Sequence, residues 1–208
     1  MNDIKSITDV DKLMNFFIDI FKEYKDIYEE SIKNKKDLAL KQFYDNPDYI
    51  IGIKENNKIV AGLFSIFVDE TNTIMVEIVA VDKNYRLSGY GSKLLNMLEE
   101  NAKKNNVNKI ILNSKNETQD FYMKNDYKPI LYVHVFQNVS LEDFEEYNKY
   151  CFKVYNYSND KFEMDGEMCY SSKIRYYVDA PRKEYINYFD SLYNDSYTNY
   201  FFVKELNK

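Results

Sequence analysis

Tryptophan is absent from the 208-residue chain, histidine occurs once, cysteine twice, proline three times and glycine five times. Each scarcity closes a class of function. With His134 alone beside Cys151 and Cys169, no His/Cys cluster of zinc-ligand spacing can form, so no metal is expected. Two cysteines do not make a disulfide framework, which fits a reducing cytoplasm. No apolar run approaches the roughly 20 residues of a membrane span. Met1-Asn2-Asp3-Ile4-Lys5 has neither the basic nor the apolar region of a signal peptide. A cytoplasmic protein with no membrane partner is expected. A formal net charge of −6 argues against general nucleic-acid binding.

What is present is a globular composition: 45 % hydrophobic and 30 % charged residues. Aromatics reach 17 %, with 21 Tyr and 14 Phe. The length suits one large domain or a domain with an extension.

Two of the few glycines stand one residue apart, in Arg86-Leu87-Ser88-Gly89-Tyr90-Gly91. An apolar strand, Ile74 to Val81, runs into this stretch, and a helical pattern, Ser92 to about Lys104, runs out of it. Glycine lets the backbone turn sharply and brings bare N–H groups close to a ligand. The helix start adds unpaired donors and a partial positive charge, which suits phosphate. The G-x-x-x-x-G-K-[ST] run of a P-loop is missing. A dinucleotide fingerprint needs a small residue where Leu94 stands. R-x-x-G-x-G remains, and on these residues alone a phosphate cradle and a plain tight turn both stand.

The flanking order decides more. Ile4 to Ile7 reads as a short first strand. Thr8 reads as the cap of a helix carrying Val10, Leu13, Met14, Phe17, Phe21 and Tyr24 and running to about Glu30. A second helix reads from Asp37 to Tyr44, with Leu38, Leu40 and Phe43 apolar, stopped by Asn46-Pro47. Strands follow at Tyr49–Lys54, Lys58–Val68 and Ile74–Val81, joined by short turns and so antiparallel. After the glycine loop and its helix, Leu94, Leu95, Leu98 and Ala102 share one face. Val107 to Leu112 reads as a strand parallel to Ile74–Val81. A short helix, Asn116 to Lys124, and a strand, Tyr127 to Phe136, complete the series.

This order over residues 3 to 136 resembles the GNAT superfamily of N-acetyltransferases. Three local matches support the resemblance. Ala61-Gly62 supplies a small residue in the second meander strand. Glu77-Ile78-Val79-Ala80-Val81-Asp82 is similar to the acid-containing strand before the loop. The stretch from Asn116 through Phe121-Tyr122-Met123-Lys124 to Asp126-Tyr127 resembles N-x-x-x-x-x-F-Y-x-K-x-G-F. There Asp126 replaces the usual Gly, and Asp tolerates a left-handed backbone. The implied fold class is α/β (α+β): a mixed, mostly antiparallel sheet flanked by helices, with a small C-terminal α/β extension.

The resemblance also implies roles. Backbone N–H groups of Leu87, Ser88, Gly89, Tyr90, Gly91 and Ser92 would cradle the pyrophosphate of acetyl-CoA. Arg86 would add a charged contact or stay solvated. The pantetheine arm would pair with the backbone of Val79 and Val81, where an N–H would polarise the thioester carbonyl. Asn116 would contact that arm, cap a helix, or do both. Tyr122 is the candidate general acid for the departing thiolate, against a reading as one more packed aromatic. Glu77 is the candidate base, sharing by alternation the face of Val79 and Val81, against a reading as a solvent-facing or strand-bonding glutamate. His134 reads as structural. Cys151 and Cys169 lie outside the recognised core and do not suggest a nucleophile.

Residues 137 to 208 exceed a minimal fold of this type. They read as a helix capped by Ser140 and running through Tyr150, a strand Cys151–Tyr157, and a hairpin Phe162–Tyr170 turning at Asp165-Gly166. A strand Lys173–Val178, a helix starting at Pro181 and a strand Thr198–Val203 follow. No flexible linker precedes them. They are expected to pack on the core, covering the acceptor side or the partner subunit of a homodimer. The expected activity is acetyl-CoA-dependent acetylation of a small-molecule primary amine. Alternatives are a protein or peptide N-acetyltransferase and a non-catalytic acyl-CoA-binding protein of the same fold.

Overall fold

The computed structural model describes residues 2–22, 32–114 and 117–206. The chain divides into two compact units, Met1–Leu112 with Glu205–Lys208, and Asn113–Lys204.

In the first unit, helix α1 spans Ile7–Phe21 and α2 Lys36–Asp45. Strands β1 (Ile50–Glu55), β2 (Lys58–Val68) and β3 (Thr73–Val81) form the expected antiparallel meander. Helix α3 (Tyr90–Lys104) leads to β4 (Lys109–Asn113), which pairs parallel with β3 as a crossover requires. The strand order is β1-β2-β3-β4. Asn56 and Asn57 both take positive φ, 48° and 63°, which is the twist a two-residue hairpin turn needs.

Local chemistry sets the helix ends. The start of α1 departs from expectation, because Ser6 is the cap and not Thr8. The Ser6 hydroxyl accepts the Asp9 N–H at 3.2 Å, and the Asp9 carboxylate accepts from the Lys5 N–H at 3.1 Å. This closed turn takes Ile7 into the helix, so the strand expected over Ile4–Ile7 does not form. The segment is tied to β1 instead: the Asp3 N–H donates to Gly52 O at 2.9 Å. The expected continuation of α1 toward Glu30 lies outside the described residues. At the other end of the unit, α3 stops at Asn105-Asn106 as read. Asn106 is left-handed (φ 55°), and the N–H groups of Asn106 and Val107 return to Lys103 O and Ala102 O.

Val10, Leu13, Met14 and Phe17 of α1 are buried, at i, i+3, i+4 and i+7. They cluster with Ile50, Phe64, Ile78 and Ala80 of the sheet. β2 is buried on both faces from Ile59 to Ser65, because helices cover both. Gly62 has a packing reason: a Cβ there would meet Leu13 Cδ1 at 2.4 Å and the Phe17 ring at 3.0 Å. On α2 the buried residues are Ala39 and Gln42, while Leu38 is exposed. Leu40 and Phe43 pack, partly buried, against the core as read, and Gln42 is buried with them, accepting the Phe67 N–H at 3.4 Å.

The second unit holds α4 (Gln119–Lys124), β5 (Lys128–Val135), α5 (Leu141–Tyr147), β6 (Lys153–Met164), β7 (Glu167–Tyr177), α6 (Lys183–Leu192) and β8 (Ser196–Glu205). Its strands run in the order β8-β5-β7-β6, all antiparallel. The strands expected at Cys151–Tyr157, Phe162–Tyr170 and Lys173–Val178 are two long strands of one hairpin. Ser158-Asn159-Asp160 looks like a break in the sequence but stays paired, opposite Lys173, Ser172 and Ser171. Asp165 and Gly166 make its turn with φ 54° and 82°. Ser140 caps α5 in a reciprocal capping box with Asp143, as the sequence suggests, although the helix ends at Tyr147. Helix α6 starts at Lys183, two residues beyond Pro181. Arg182 is held extended, with its N–H donating to the Tyr200 hydroxyl at 2.9 Å and its carbonyl accepting from it at 2.7 Å. Aromatic rings fill the interior under α5 and α6, with Tyr176 stacked on Phe189 and Phe144 against Tyr193.

Asp9 ties the α1 cap to β1, because its carboxylate also accepts from Lys54 Nζ at 2.6 Å. The Lys54 bond, more than any other contact, holds the Asp9 carboxyl down at about 2. A carboxyl depressed on folding stabilises above its ordinary value of 3.8 and loses that contribution as pH falls toward 2. Asp9→Asn is expected to cost about 1–2 kcal/mol near neutral pH. Thermal melts of the two proteins should converge between pH 4 and pH 2. A gap that stays constant with pH would show that the carboxylate's charge is not what stabilises.

Candidate active site

The glycine loop is built by short-range bonds. Asp82 closes its first turn, the carboxylate accepting the Asn84 N–H at 2.9 Å and the carbonyl the Tyr85 N–H at 2.8 Å. Leu87 (φ 62°) is fully exposed and left-handed, a conformation that costs a leucine roughly 1 kcal/mol. Gly89 (φ 82°) is the N-cap of α3, so the helix begins at Tyr90, two residues before the expected Ser92. The first helical bond runs from the Lys93 N–H to Gly89 O at 3.0 Å. The N–H groups of Tyr90, Gly91 and Ser92 therefore have no acceptor within the helix. A left-handed residue followed by a right-handed one also lines up consecutive N–H groups into an anion-binding concavity. The Tyr90 side chain points elsewhere and fixes the helix start: its hydroxyl donates to Glu55 Oε1 at 2.7 Å. Arg86 Nε donates to Val81 O at 3.4 Å, so this guanidinium is turned back on the strand end.

Strand β3 feeds the loop and changes character halfway. Its pairing with β4 covers Thr73–Val76 only. Beyond that it keeps β2 as a neighbour in this unit. The Asp82 N–H donates to Val60 O, and hydrogen-bonded positions alternate along an antiparallel pair. Ile78 and Ala80 therefore direct their backbone groups toward β2, and Val79 and Val81 toward the edge that β4 has left. The Arg86 bond to Val81 O comes from that edge.

Glu77 departs from expectation. Phe64 lies opposite Ile78 and Ser65 opposite Val76, which leaves Glu77 as an extra residue in β3. This bulge breaks the two-residue alternation. Glu77 does not share the face of Val79 and Val81; it points with Ile78 toward the helices α1 and α2. There its carboxylate takes an ion pair from Lys35 Nζ, just before α2, with 30 % and 17 % of the two side chains exposed. Lys35 gave no signal in the sequence, because the pair spans 42 positions and depends on the bulge.

In the second unit Tyr122 sits on α4, nearly buried, with ring centroids 5.0 Å from Phe121, 5.5 Å from Phe202 and 6.2 Å from Tyr127. Burial pushes its phenol up to about 12. Helix α4 ends as the motif requires. Asp126 is left-handed (φ 64°), the Asp126 N–H returns to Met123 O and the Tyr127 N–H to Tyr122 O. Asn116 lies outside the described residues. His134 packs its ring 4.3 Å from Phe136, and burial lowers its affinity for a proton. Cys151 and Cys169 are free thiols.

Residues 12–127, more than half the chain, match the family model described as "Acetyltransferase (GNAT) family". The chain belongs to the GNAT acetyltransferase family. No curated protein matches the chain. Among solved structures, a candidate acetyltransferase from Pyrococcus horikoshii is 15 % identical, covering 77 % of this chain and 51 % of that one, with a TM-score of 0.50. Tetrahymena GCN5 is 19 % identical over 86 % of this chain and 96 % of its own, at 0.45. The PaiA N-acetyltransferase of Thermoplasma acidophilum, solved with coenzyme A, is 18 % identical over 81 % and 94 %, at 0.44. The first of these likenesses speaks to fold alone.

GNAT membership brings the mixed, mostly antiparallel sheet flanked by helices, and the activity class of acetyl-CoA-dependent acetyl transfer. It leaves the acceptor open. The residues present suit a CoA-type donor: an N–H cluster of positive potential at the loop and an unpaired strand edge beside it. Among the described residues no group of three or more His, Cys, Asp or Glu is placed to hold a metal. No described helix is long and apolar enough to cross a membrane.

A Cβ at Gly89 would meet nothing within 4 Å, so the cost of replacing it lies in the backbone. Gly89→Val is expected to lose roughly 1–2 kcal/mol of stability. Calorimetry should show coenzyme A bound about tenfold or more weakly, the change that some 1.4 kcal/mol produces. Unchanged affinity would mean that the loop's left-handed turn does not form the cradle.

Proposed function

We propose that the protein transfers the acetyl group of acetyl-CoA to the primary amine of a small molecule, by direct attack in a ternary complex. The observation that carries this reading is the strand β3 edge. Val79 and Val81 turn their backbone groups away from β2 immediately before a loop whose N–H groups suit pyrophosphate. A thioester arm paired along that edge would have its carbonyl beside a backbone donor, which stabilises the oxyanion without any particular side chain.

The proposed roles follow the order of bond changes. The amine nitrogen attacks the thioester carbonyl and the C–N bond forms. Glu77, directly or through water, takes the amine proton. The tetrahedral oxyanion collapses, the C–S bond breaks, and the thiolate receives a hydrogen bond and then a proton from Tyr122. A phenol held at about 12 stays protonated at any physiological pH. Full transfer to an ordinary thiolate of about 8.5 is uphill. Tyr122 therefore acts first by hydrogen-bonding the developing charge, and its proton follows. Backbone groups of Leu87 through Ser92 hold the pyrophosphate, with Val79 and Val81 on the arm. Arg86 and Asn116 are assigned supporting contacts. The region 137–208 is assigned to shaping acceptor choice.

Tyr122→Phe should lower kcat by about 10²–10⁴-fold while leaving coenzyme A affinity intact. Steady-state kinetics on any amine found by mass-spectrometric screening makes the measurement. Undiminished turnover would assign Tyr122 to packing alone. Glu77→Gln is expected to slow transfer by roughly 10²-fold, again with the donor still bound. If kcat/KM is unchanged from pH 6 to 9, Glu77 serves only its ion pair.

A further inference from the structure

Among the ion pairs of the described residues, the one that reaches β3 joins Lys35 to Glu77. It puts a primary amine of the chain where the proposed base would receive an acceptor's amine. Lys35 stands at the cap position before α2, and Glu77 is the bulge residue of β3. Val79, the first residue whose backbone faces the open edge, lies two positions further on. That is about 7 Å along a strand, a distance a lysine side chain can span. A lysine is also chemically an acceptor of the class proposed above, a primary amine at the end of a flexible stem.

We propose that Lys35 is acetylated by its own chain, with Glu77 as the base. The proposal rests on the acetyl-transfer reading above. Lys35 Nζ gives a proton to the Glu77 carboxylate and attacks the thioester carbonyl. The N–C bond forms and the C–S bond breaks. The nitrogen's second proton replaces the one that the general acid of the acetyl-transfer reading gives to the departing thiolate, so coenzyme A leaves as the free thiol, and Glu77 passes the proton it took to water. The product is a neutral amide at Lys35. The modification is a switch in the site's electrostatics: the ammonium is removed, and the Glu77 carboxylate is left for the ammonium of the next acceptor.

Neighbouring lysines supply an internal control. Lys33 and Lys36 flank Lys35 in one peptide, and Lys36 pairs with Asp11 at 3.0 Å rather than with β3. Exposed lysines react slowly with acetyl-CoA without catalysis, and these two report that background. The purified full chain is incubated with acetyl-CoA, digested with an Asp-specific protease, and each lysine is quantified by fragment-ion mass spectrometry. Acetylation at Lys35 is expected at least about tenfold faster than at Lys33 or Lys36, a difference of roughly 1.4 kcal/mol in barrier. Its rate should not depend on protein concentration, since the acceptor is on the same chain. Glu77→Gln should bring Lys35 down to the rate of its neighbours with coenzyme A still bound.

Equal rates at the three lysines overturn the proposal, and so does a Lys35 rate that Glu77→Gln leaves unchanged. If Lys35 stays at background while a small amine is acetylated, self-acetylation fails and the acetyltransferase reading survives. If calorimetry detects no binding of coenzyme A, both fail together. A Lys35 rate that rises in proportion to protein concentration replaces the intramolecular step with transfer between molecules and overturns it as stated.

Discussion

Strand β3 is paired with β2 along its length but with β4 only over its first four paired positions. That asymmetry is the constraint on which the rest of the first unit depends. From Thr73 to Val76 the strand is held on both sides and takes its register from both neighbours. Beyond Val76 its outer backbone groups must find other partners, because buried peptide groups are costly when unpaired. The Arg86 side chain meets one of them, at Val81. The bulge at Glu77 falls at the point where pairing with β4 ends. It turns a carboxylate out of the alternation and toward the helices, where Lys35 meets it. The glycine loop then starts from an edge that is already free. The loop's two left-handed residues do the remaining work of exposing N–H groups.

The second unit solves a different problem. It has to cover one side of a four-stranded sheet with two helices of only seven and ten residues. Aromatic side chains fill that space because each buries a large area with few rotatable bonds. Tyr176 and Tyr193 are buried among these rings and Tyr200 is buried against Arg182, and burial keeps all three phenols strongly protonated. Tyr200 shows what the hydroxyl adds to ring packing. It accepts from one backbone group of Arg182 and donates to the other, fixing where α6 begins. Beside Tyr122 the same aromatic density places Phe121, Tyr127 and Phe202 around one phenol.

Two lysine–carboxylate pairs in the first unit illustrate how far local reading goes. Asp9 lies in the first turn of α1, whose start was legible from Thr8 ahead of an apolar pattern. That Ser6 and not Thr8 carries the cap was a shift of one half-turn, settled by which hydroxyl reaches the Asp9 N–H. Lys54, which completes the pair, comes from a strand 45 positions away. Lys35 and Glu77 are as distant in sequence, and neither residue type marks the other. Pairs of this kind depend on register, and register is a property of two strands together.

By itself the sequence determined the family, the element order and the glycine loop, because each is written in contiguous residues. Hydrophobic period, turn chemistry at Asn56-Asn57 and Asp165-Gly166, the R-x-x-G-x-G spacing and the F-Y-x-K motif need no partner to be read. Asp126 in place of glycine was readable for the same reason, since its left-handed turn is a local cost. Tertiary structure alone decided which way Glu77 points, how far β4 accompanies β3, and that Lys35 stands against the carboxylate. Alternation along one strand predicts a face only while the partner strand keeps step. One extra residue in β3 changes the face of Glu77 without altering the composition or the hydrophobic pattern, because the slip lies in the hydrogen bonds between strands.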